Sequence, residues 1–345
     1  MKSIYGILNI HFNRIGEYMK QKNKTVIRLV IALIVVILLF IITIIRAEFA
    51  GLNVLTGKIT TKKEASLKKE GQEELLNTIK TSYNDGSSTT QILRSIFTNN
   101  IVYLSNNKYN FADIDQSLSK SLINNDNISI DSETNYLTYE DSTYKSIAGI
   151  DLSAYQGDVD FSKVKDAGFD YCMLRVGYRT YGGGIITADT NFETYVSNAL
   201  KNNLDVGVYF FSSAINVTEA KEEANFVLDA IKPYNITYPV VLDVEEIASG
   251  TSRQESLSAD ELTAVVKAFC ETITDAGYEV MIYSNLKGFV ANLNLEELEQ
   301  YDKWYAYYDE TPYYPYKFTM WQYSSTGSVD GIDGNVDLDI YLIKK

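Results

Sequence analysis

The chain has 345 residues and a net charge of −14, with one histidine, His11, close to its N-terminus. That excludes Ser-His-Asp or Cys-His catalysis and a histidine-ligated zinc from the body of the protein. Chemistry there must use carboxylates, tyrosines, amides or a metal bound by oxygen. The first 46 residues carry seven Lys/Arg and one Glu, so the rest is strongly acidic, which disfavours nucleic acid and anionic membrane surfaces as partners.

Val26 to Ile45 reads VIRLVIALIVVILLFIITII, with an uninterrupted apolar core over 29–45. This is the lower end of what spans a bilayer, and Val26 and Ile27 extend it if Arg28 snorkels. Lys20, Lys22, Lys24 and Arg28 flank its N-terminal side. An uncleaved transmembrane helix is therefore expected over 26–46. Residues 1–25 would be cytoplasmic and the rest extracytoplasmic, giving a single-pass protein of the cell membrane. A cleaved signal peptide is the alternative, but the run is long for one and no A-x-A site follows it.

Residues 47–147 contain no proline and four glycines. Apolar spacing predicts helices over 65–80 and 89–97, and short strands over 101–104 and 128–130. With no chemical motif, this stretch is expected to be an extracytoplasmic stalk or small module, a spacer that holds the next domain off the membrane.

From Ala148 short apolar strands alternate with helices. Strands are expected over 148–152, 169–176, 205–211, 238–245 and 279–283, with helices over 161–167, 191–201, 218–231 and 258–276. Gly168 and Gly277 end two of these helices. Alternation of this kind implies a parallel sheet, doubly wound or closed. Strands over 303–308, 317–323 and 335–340 follow with little helix between them. Eight strands with about five helices read as an irregular (β/α) barrel over 148–345. In a barrel, sites gather at the C-terminal strand ends. Asp151, Arg175, Ser212, Asp243, Glu245, Ser284 and Asn285 all fall there.

Leu242-Asp243-Val244-Glu245 ends the buried run Tyr238 to Val241. Side chains alternate along a strand, so Val241, Asp243 and Glu245 share one face. Paired acids at a buried strand end suit cleavage of a glycosidic bond, because burial beside a like charge raises one pKa and supplies a general acid. Their spacing along an extended strand is roughly 6.6 Å, which decides neither retention nor inversion. A second Asp-x-Glu, at Asp131 and Glu133, lies in a polar stretch and reads as a solvated loop.

Four segments give this pair a context: Gly149-Ile150-Asp151-Leu152-Ser153-Ala154-Tyr155-Gln156-Gly157, Gly207-Val208-Tyr209-Phe210-Phe211-Ser212, Trp321-Gln322-Tyr323-Ser324-Ser325-Thr326-Gly327 and Gly334-Asn335-Val336-Asp337-Leu338-Asp339. Together and in this order they resemble the family 25 glycoside hydrolases, the N-acetylmuramidase type of lysozyme, over roughly residues 148–343. The resemblance implies a flattened, irregular barrel that cuts the β-1,4 bond between N-acetylmuramic acid and N-acetylglucosamine in peptidoglycan glycan strands. It implies Glu245 as general acid/base, Asp243 as its partner orienting the substrate acetamido group or stabilising positive charge, and Asp151 and Asp337 as flanking acids. Tyr209, Tyr283, Trp304 and Gln322 match family positions in or beside the cleft. Two points of comparison concern single positions: the last motif commonly ends in Asn where this chain has Asp339, and Trp-x-Ala-x-Tyr is present as Trp304, Ala306 and Tyr308.

Arg175 reads either as a residue that orients a carboxylate or as half of a structural ion pair. Gly182-Gly183-Gly184 lacks the GxGxxG order and reads as a flexible loop at the cleft mouth. Asp337-x-Asp339 lacks the further oxygens of a calcium site, and no cofactor or metal is called for. Cys172 and Cys270 are expected to be buried thiols. A non-catalytic glycan-binding protein of the cell wall and a hydrolase of another N-acetylated polysaccharide are the competing readings.

Overall fold

The structure is a computed structural model and describes residues 2–53, 56, 58–247 and 252–345. Residues 1–92 and 93–345 form two separate compact units. In the first, α1 runs Lys2–Phe49. Its stretch Asn13–Phe49 is long and apolar enough to cross a membrane, and none of its apolar window is buried against protein. The helix α2, Thr61–Asn84, starts at Thr60, whose side chain accepts from Lys63 N, satisfying one of the orphan donors of a first turn. A short helix, α3 (Thr89–Ile96), spans the division between the units.

The second unit opens with two small antiparallel ribbons, β1 (Asn100–Ser105) with β2 (Lys108–Asp113), and β3 (Ile128–Ile130) with β4 (Leu137–Tyr139). Then follow β5 (Tyr144–Leu152), α4 (Phe161–Asp166), β6 (Tyr171–Arg179), β7 (Ile186–Ala188), α5 (Phe192–Lys201), β8 (Asp205–Phe211), α6 (Val217–Ile231), β9 (Val240–Asp243), α7 (Ala259–Asp275), β10 (Val280–Asn285), β11 (Asp302–Ala306), β12 (Met320–Gly327) and β13 (Val336–Lys344). The order around the sheet is β5-β13-β12-β11-β10-β9-β8-β6, and β5 pairs with β6 to close an eight-stranded barrel. The short β7 adds to the far end of β6. Neighbours are parallel except β13, which runs antiparallel to both β12 and β5. The irregular barrel read from the sequence is therefore the observed fold, with α4 to α7 clustered in its first half.

Local sequence explains most of these elements. Ser258 and Glu261 form a reciprocal capping box at the start of α7, a device that typically contributes about 1 kcal/mol. Gly168 and Gly277 follow α4 and α7 with φ of 96° and 89°, the left-handed region where only glycine is unstrained. Strand alternation separates two apolar layers. Val240, Leu242 and Val244 join the core beneath the helices, whereas Val241 joins Tyr171, Met173, Met281, Tyr283, Trp304, Ala306 and Met320 inside the barrel. Gly149 marks a point of close approach in that interior, because a Cβ there would lie 2.1 Å from the Tyr171 ring. Gly149→Ala is expected to lower stability by about 1–3 kcal/mol, the usual consequence of overpacking, measured as a fall in denaturation midpoint at unchanged slope.

The boundary expected at residue 148 falls inside β5, and residues 93–147 lie in one compact unit with the barrel. Ile101, Leu118, Leu137 and Tyr139 are buried in the main core. Leu137 N donates to the Tyr323 hydroxyl at 3.2 Å, and Ser119 bonds Glu299 from both N and Oγ, at 2.9 and 2.7 Å. Patterning missed this because the apolar positions are scattered through short ribbons and loops, with neither helical nor strand period.

Gly182 to Gly184 lie in the turn that joins β6 to β7, held by Thr180 N to Ile185 O at 2.9 Å and Gly184 N to Thr180 O at 2.8 Å. Cys172 and Cys270 are free and buried, and burial raises both thiols well above their ordinary pKa.

Candidate active site

Strand β9 carries the acid pair to the barrel mouth. It pairs with β8 and β10 up to Asp243, which stands opposite Phe211 and Tyr283. Asp243 is 5% exposed, on the same side as the interior residue Val241. The strand ends there, two residues short of the expectation, so Glu245 leaves the extended path. As a result the two carboxyl groups meet and hydrogen-bond each other, and the roughly 6.6 Å of strand spacing does not describe their separation. Asp243 Oδ1 has no partner among the described residues that supplies a donor of its own. Two ionised carboxyl groups in contact repel, which favours the protonated form of Asp243.

A second acid group faces the first. Asp151 on β5 stands opposite Asp337 on β13. Asp339, also on β13, is completely buried; its Oδ1 accepts from Trp304 Nε1 at 2.8 Å. Its Oδ2 has no donor among the described residues other than the carboxyl of Asp151. The position where the family commonly has Asn is thus filled here by a second buried carboxyl, beside Asp151.

Gln322 links the two groups. Its amide Nε2 donates to Asp151 Oδ2 at 2.7 Å, and its Oε1 accepts from the hydroxyls of Tyr283 and Tyr308, both at 2.8 Å. The Tyr283 hydroxyl also stands close to Glu245 and favours its charged form. A continuous chain of polar contacts therefore runs Asp243, Glu245, Tyr283, Gln322, Asp151, Asp339, Trp304. Satisfied buried networks of this kind rigidify the groups they join.

Burial sets the electrostatics. It raises Asp151 well above the carboxylate range, reinforced by the charges of Asp337 and Asp339. It does the same for Asp243, reinforced by Glu245 and opposed by Arg175, and for Asp339, reinforced by Asp337. Glu245 is raised by burial and then by Asp337, and Asp337 is pushed up to about 6 by burial. The folded state therefore binds protons that the unfolded chain releases near pH 4. The stability these groups contribute is complete below that range and is lost as pH rises through about 6 and beyond. The melting temperature of the detergent-solubilised chain is expected to be higher at pH 5 than at pH 7.5. Asp339→Asn is expected to narrow the difference; a curve rising from pH 5 to 7.5 would contradict the raised carboxyls.

The binding residues expected from the sequence divide by depth. Tyr209 is partly exposed, and its ring meets Trp304 edge-on at 6.1 Å. Tyr283 is 6% exposed and packs on Trp304 at 4.7 Å. Trp304 and Gln322 are 1% and 3% exposed, so they stand beneath the site and hold its groups in place. Arg175 makes an ion pair with Asp189 at 2.8 Å, where Asp189 also accepts from Ala154 N and Asn191 N. The structure shows the ion pair of the two readings open for Arg175.

Three residues at the mouth were not singled out from the sequence. Tyr155 is 87% exposed, with the Arg175 guanidinium 5.2 Å over its ring. Tyr308 is 55% exposed above Gln322. Asp189 anchors Arg175. Tyr155 and Tyr308 did lie inside the quoted motifs, but nothing distinguishes them from the chain's other tyrosines until their exposure is known. Asp189 carries no sequence signal. Glu245 also lines a groove of about 700 Å³ together with Glu246, Asn285 and Lys287.

Comparison with known proteins agrees with this geometry. The family model described as glycosyl hydrolases family 25 matches residues 150–332, just over half of the chain. The autolytic lysozyme of Clostridium acetobutylicum is 28% identical over 192 residues, covering 55% of this chain and 54% of that protein. Lysozyme M1 of Streptomyces globisporus is 27% identical over 202 residues, covering 55% and 66%. Among solved structures, the modular autolysin LytC of Streptococcus pneumoniae superposes with a TM-score of 0.53 at 23% identity, over 70% of this chain and 52% of that one. At that identity the likeness is one of fold. The chain spans about half the length of the first of these relatives.

Proposed function

The chain belongs to the family 25 glycosyl hydrolases, and from that premise we propose that it is a membrane-anchored hydrolase of peptidoglycan cutting the N-acetylmuramic acid–N-acetylglucosamine bond. The observation that carries the reading is the carboxyl pair Asp243 and Glu245 brought together at the barrel mouth, with Asp151 and Asp337 opposite. Glu245 is the less buried of the pair and lines the open groove. It therefore reaches a leaving-group oxygen, while Asp243 stands deeper beside it at the barrel mouth.

Two carboxyl groups in contact cannot flank a sugar from opposite sides, as direct displacement by a second carboxylate requires. Asp243 is therefore assigned to orienting the substrate's acetamido group or to stabilising positive charge. Asp337, raised only to about 6, is the acid of the opposite group most readily ionised near neutral pH, and it supplies negative charge against an oxocarbenium-like transition state. Tyr155, Tyr209 and Tyr308 offer partly or fully exposed ring surface at the mouth for sugar stacking.

Product analysis tests the bond assigned. Digested walls should yield new reducing ends on muramic acid, with chitin oligomers cut far more slowly; glucosamine reducing ends or faster chitin turnover would refute the substrate. Anchoring rests on α1, whose apolar stretch lies at the surface with a basic N-terminal flank. The intact chain is expected to stay with membranes through alkaline carbonate extraction and to be released by protease added from outside. Recovery of a shortened protein in the medium would favour a cleaved signal sequence.

A further inference from the structure

The groove that Glu245 lines has a wall the family match does not include. Its other side is the tip of the β1–β2 hairpin, Leu104, Ser105 and Asn106, which lies outside residues 150–332. The tip is a two-residue turn: Ser105 pairs with Lys108, and Asn106 and Asn107 have φ of 52° and 58°. That is the turn whose twist matches a hairpin.

The hairpin is fastened to the barrel. The Arg94 guanidinium lies 3.5 Å over the Tyr313 ring and bonds the Tyr307 hydroxyl at 2.6 Å and Val102 O at 3.3 Å. The Tyr313 hydroxyl accepts from Val102 N at 2.9 Å, and Val102 is fully buried. Tyr307 precedes Tyr308, the exposed tyrosine bonded to Gln322. The loop that fastens the hairpin therefore also touches, through Tyr308 and Gln322, the polar network of the acids.

The lining is chemically specific. Ser105, Asn106, Asn285 and Asn292 offer hydroxyl and amide groups, and Leu104, 52% exposed, offers an apolar face. These neutral groups beside apolar surface match the alternating polar edges and apolar faces of N-acetylated sugars, and Glu246, Glu255 and Lys287 line the same groove. The volume, about 700 Å³, lies within the roughly 300–1,000 Å³ range of small-ligand sites.

We propose that the β1–β2 hairpin forms the far wall of the substrate groove and grips a glycan strand beyond the scissile bond, making residues 93–113 part of the substrate-binding surface. This rests on the glycan-hydrolase reading above and adds a chain-specific subsite to it. Ser105→Trp narrows the groove and Leu104→Ala removes its apolar face. For each variant of the full chain in detergent, kcat/KM is measured on long glycan strands and on a single tetrasaccharide fragment.

The ratio of strand to fragment efficiency is expected to fall about tenfold, the usual scale for one misfitted apolar contact, with the melting temperature of Leu104→Ala unchanged. An unaltered ratio in Leu104→Ala overturns the proposal even if Ser105→Trp fails to fold. Equal losses on strand and fragment overturn it as well, because they place the hairpin's effect at the reacting bond. If the unmodified chain cleaves neither substrate, the hydrolase reading itself has failed, and the two failures are thereby distinguished.

Discussion

Replacing Glu245 by Gln is expected to leave the barrel folded and to lower wall cleavage by about 10²–10⁴-fold, the scale of a lost general acid. Gln keeps the shape and the hydrogen bond to Tyr283 but has no transferable proton. The effect should reside in kcat, because Asp151, Asp337 and the tyrosine surface remain to hold substrate. Asp243→Asn should lower cleavage whatever the leaving group, because its assigned role is on the sugar and not on the departing oxygen. An activated aryl glycoside separates the two: it should rescue Glu245→Gln and not Asp243→Asn. Clearing of purified walls by Glu245→Gln at the unmodified rate would remove the acid/base assignment entirely.

The largest stability effect is expected at Arg179. This residue, at the end of β6, is 4% exposed. Its Nε bonds Glu223 Oε1 at 2.7 Å, its NH1 bonds Gly184 O at 2.8 Å, and its NH2 bonds Glu219 O and Glu222 Oε2 at 3.0 and 3.1 Å. Glu223, on α6, is completely buried and accepts from Ser212 Oγ at 2.7 Å. Ser212 N in turn donates to Asp243 O at 2.9 Å, which ties the ion pair to strand β9.

Arg179→Met leaves a buried carboxylate without its cation, at a cost of about 3–5 kcal/mol, or roughly 10 °C in melting temperature for a unit of this size. Burial already raises Glu223 to about 7 with the arginine present. Without it the carboxyl holds its proton more tightly still. The folded state then binds a proton that the unfolded chain loses near pH 4.5, so the loss should be greater at pH 8 than at pH 5.5. Arg179→Met with Glu223→Gln should recover much of the difference. A single variant melting within a degree or two of the parent at both pH values would show the pair to be dispensable.

Strand and helix order from 148 onward was legible because it rests on local periodicity. Alternation at Val240 to Val244 alone assigns one face to the barrel interior and the other to the helices, and the contacts agree. Glycines after α4 and α7 mark helix ends through backbone freedom that no neighbour alters. The catalytic candidates were legible for a related reason: carboxylates at the end of an apolar strand are costly wherever they occur, and that cost is visible in one dimension.

Position in space was a different matter. Trp304, Gln322 and Tyr308 fall in similar motifs, yet two lie beneath the site and one stands open at its mouth. Asp339 meets Asp151 only because β13 runs antiparallel beside β5, and Asp189 reaches Arg175 across a turn. By itself, the amino-acid order determined the apolar N-terminal segment, the alternation of elements and the identity of the acids, since each depends on neighbours within a few positions. Which carboxyls meet, which aromatic rings remain open, and the place of residues 93–147 beside the groove were decided by the tertiary structure. Those properties arise from contacts between segments as much as two hundred residues apart, and burial, which sets both pKa and access, is a property of the whole packing.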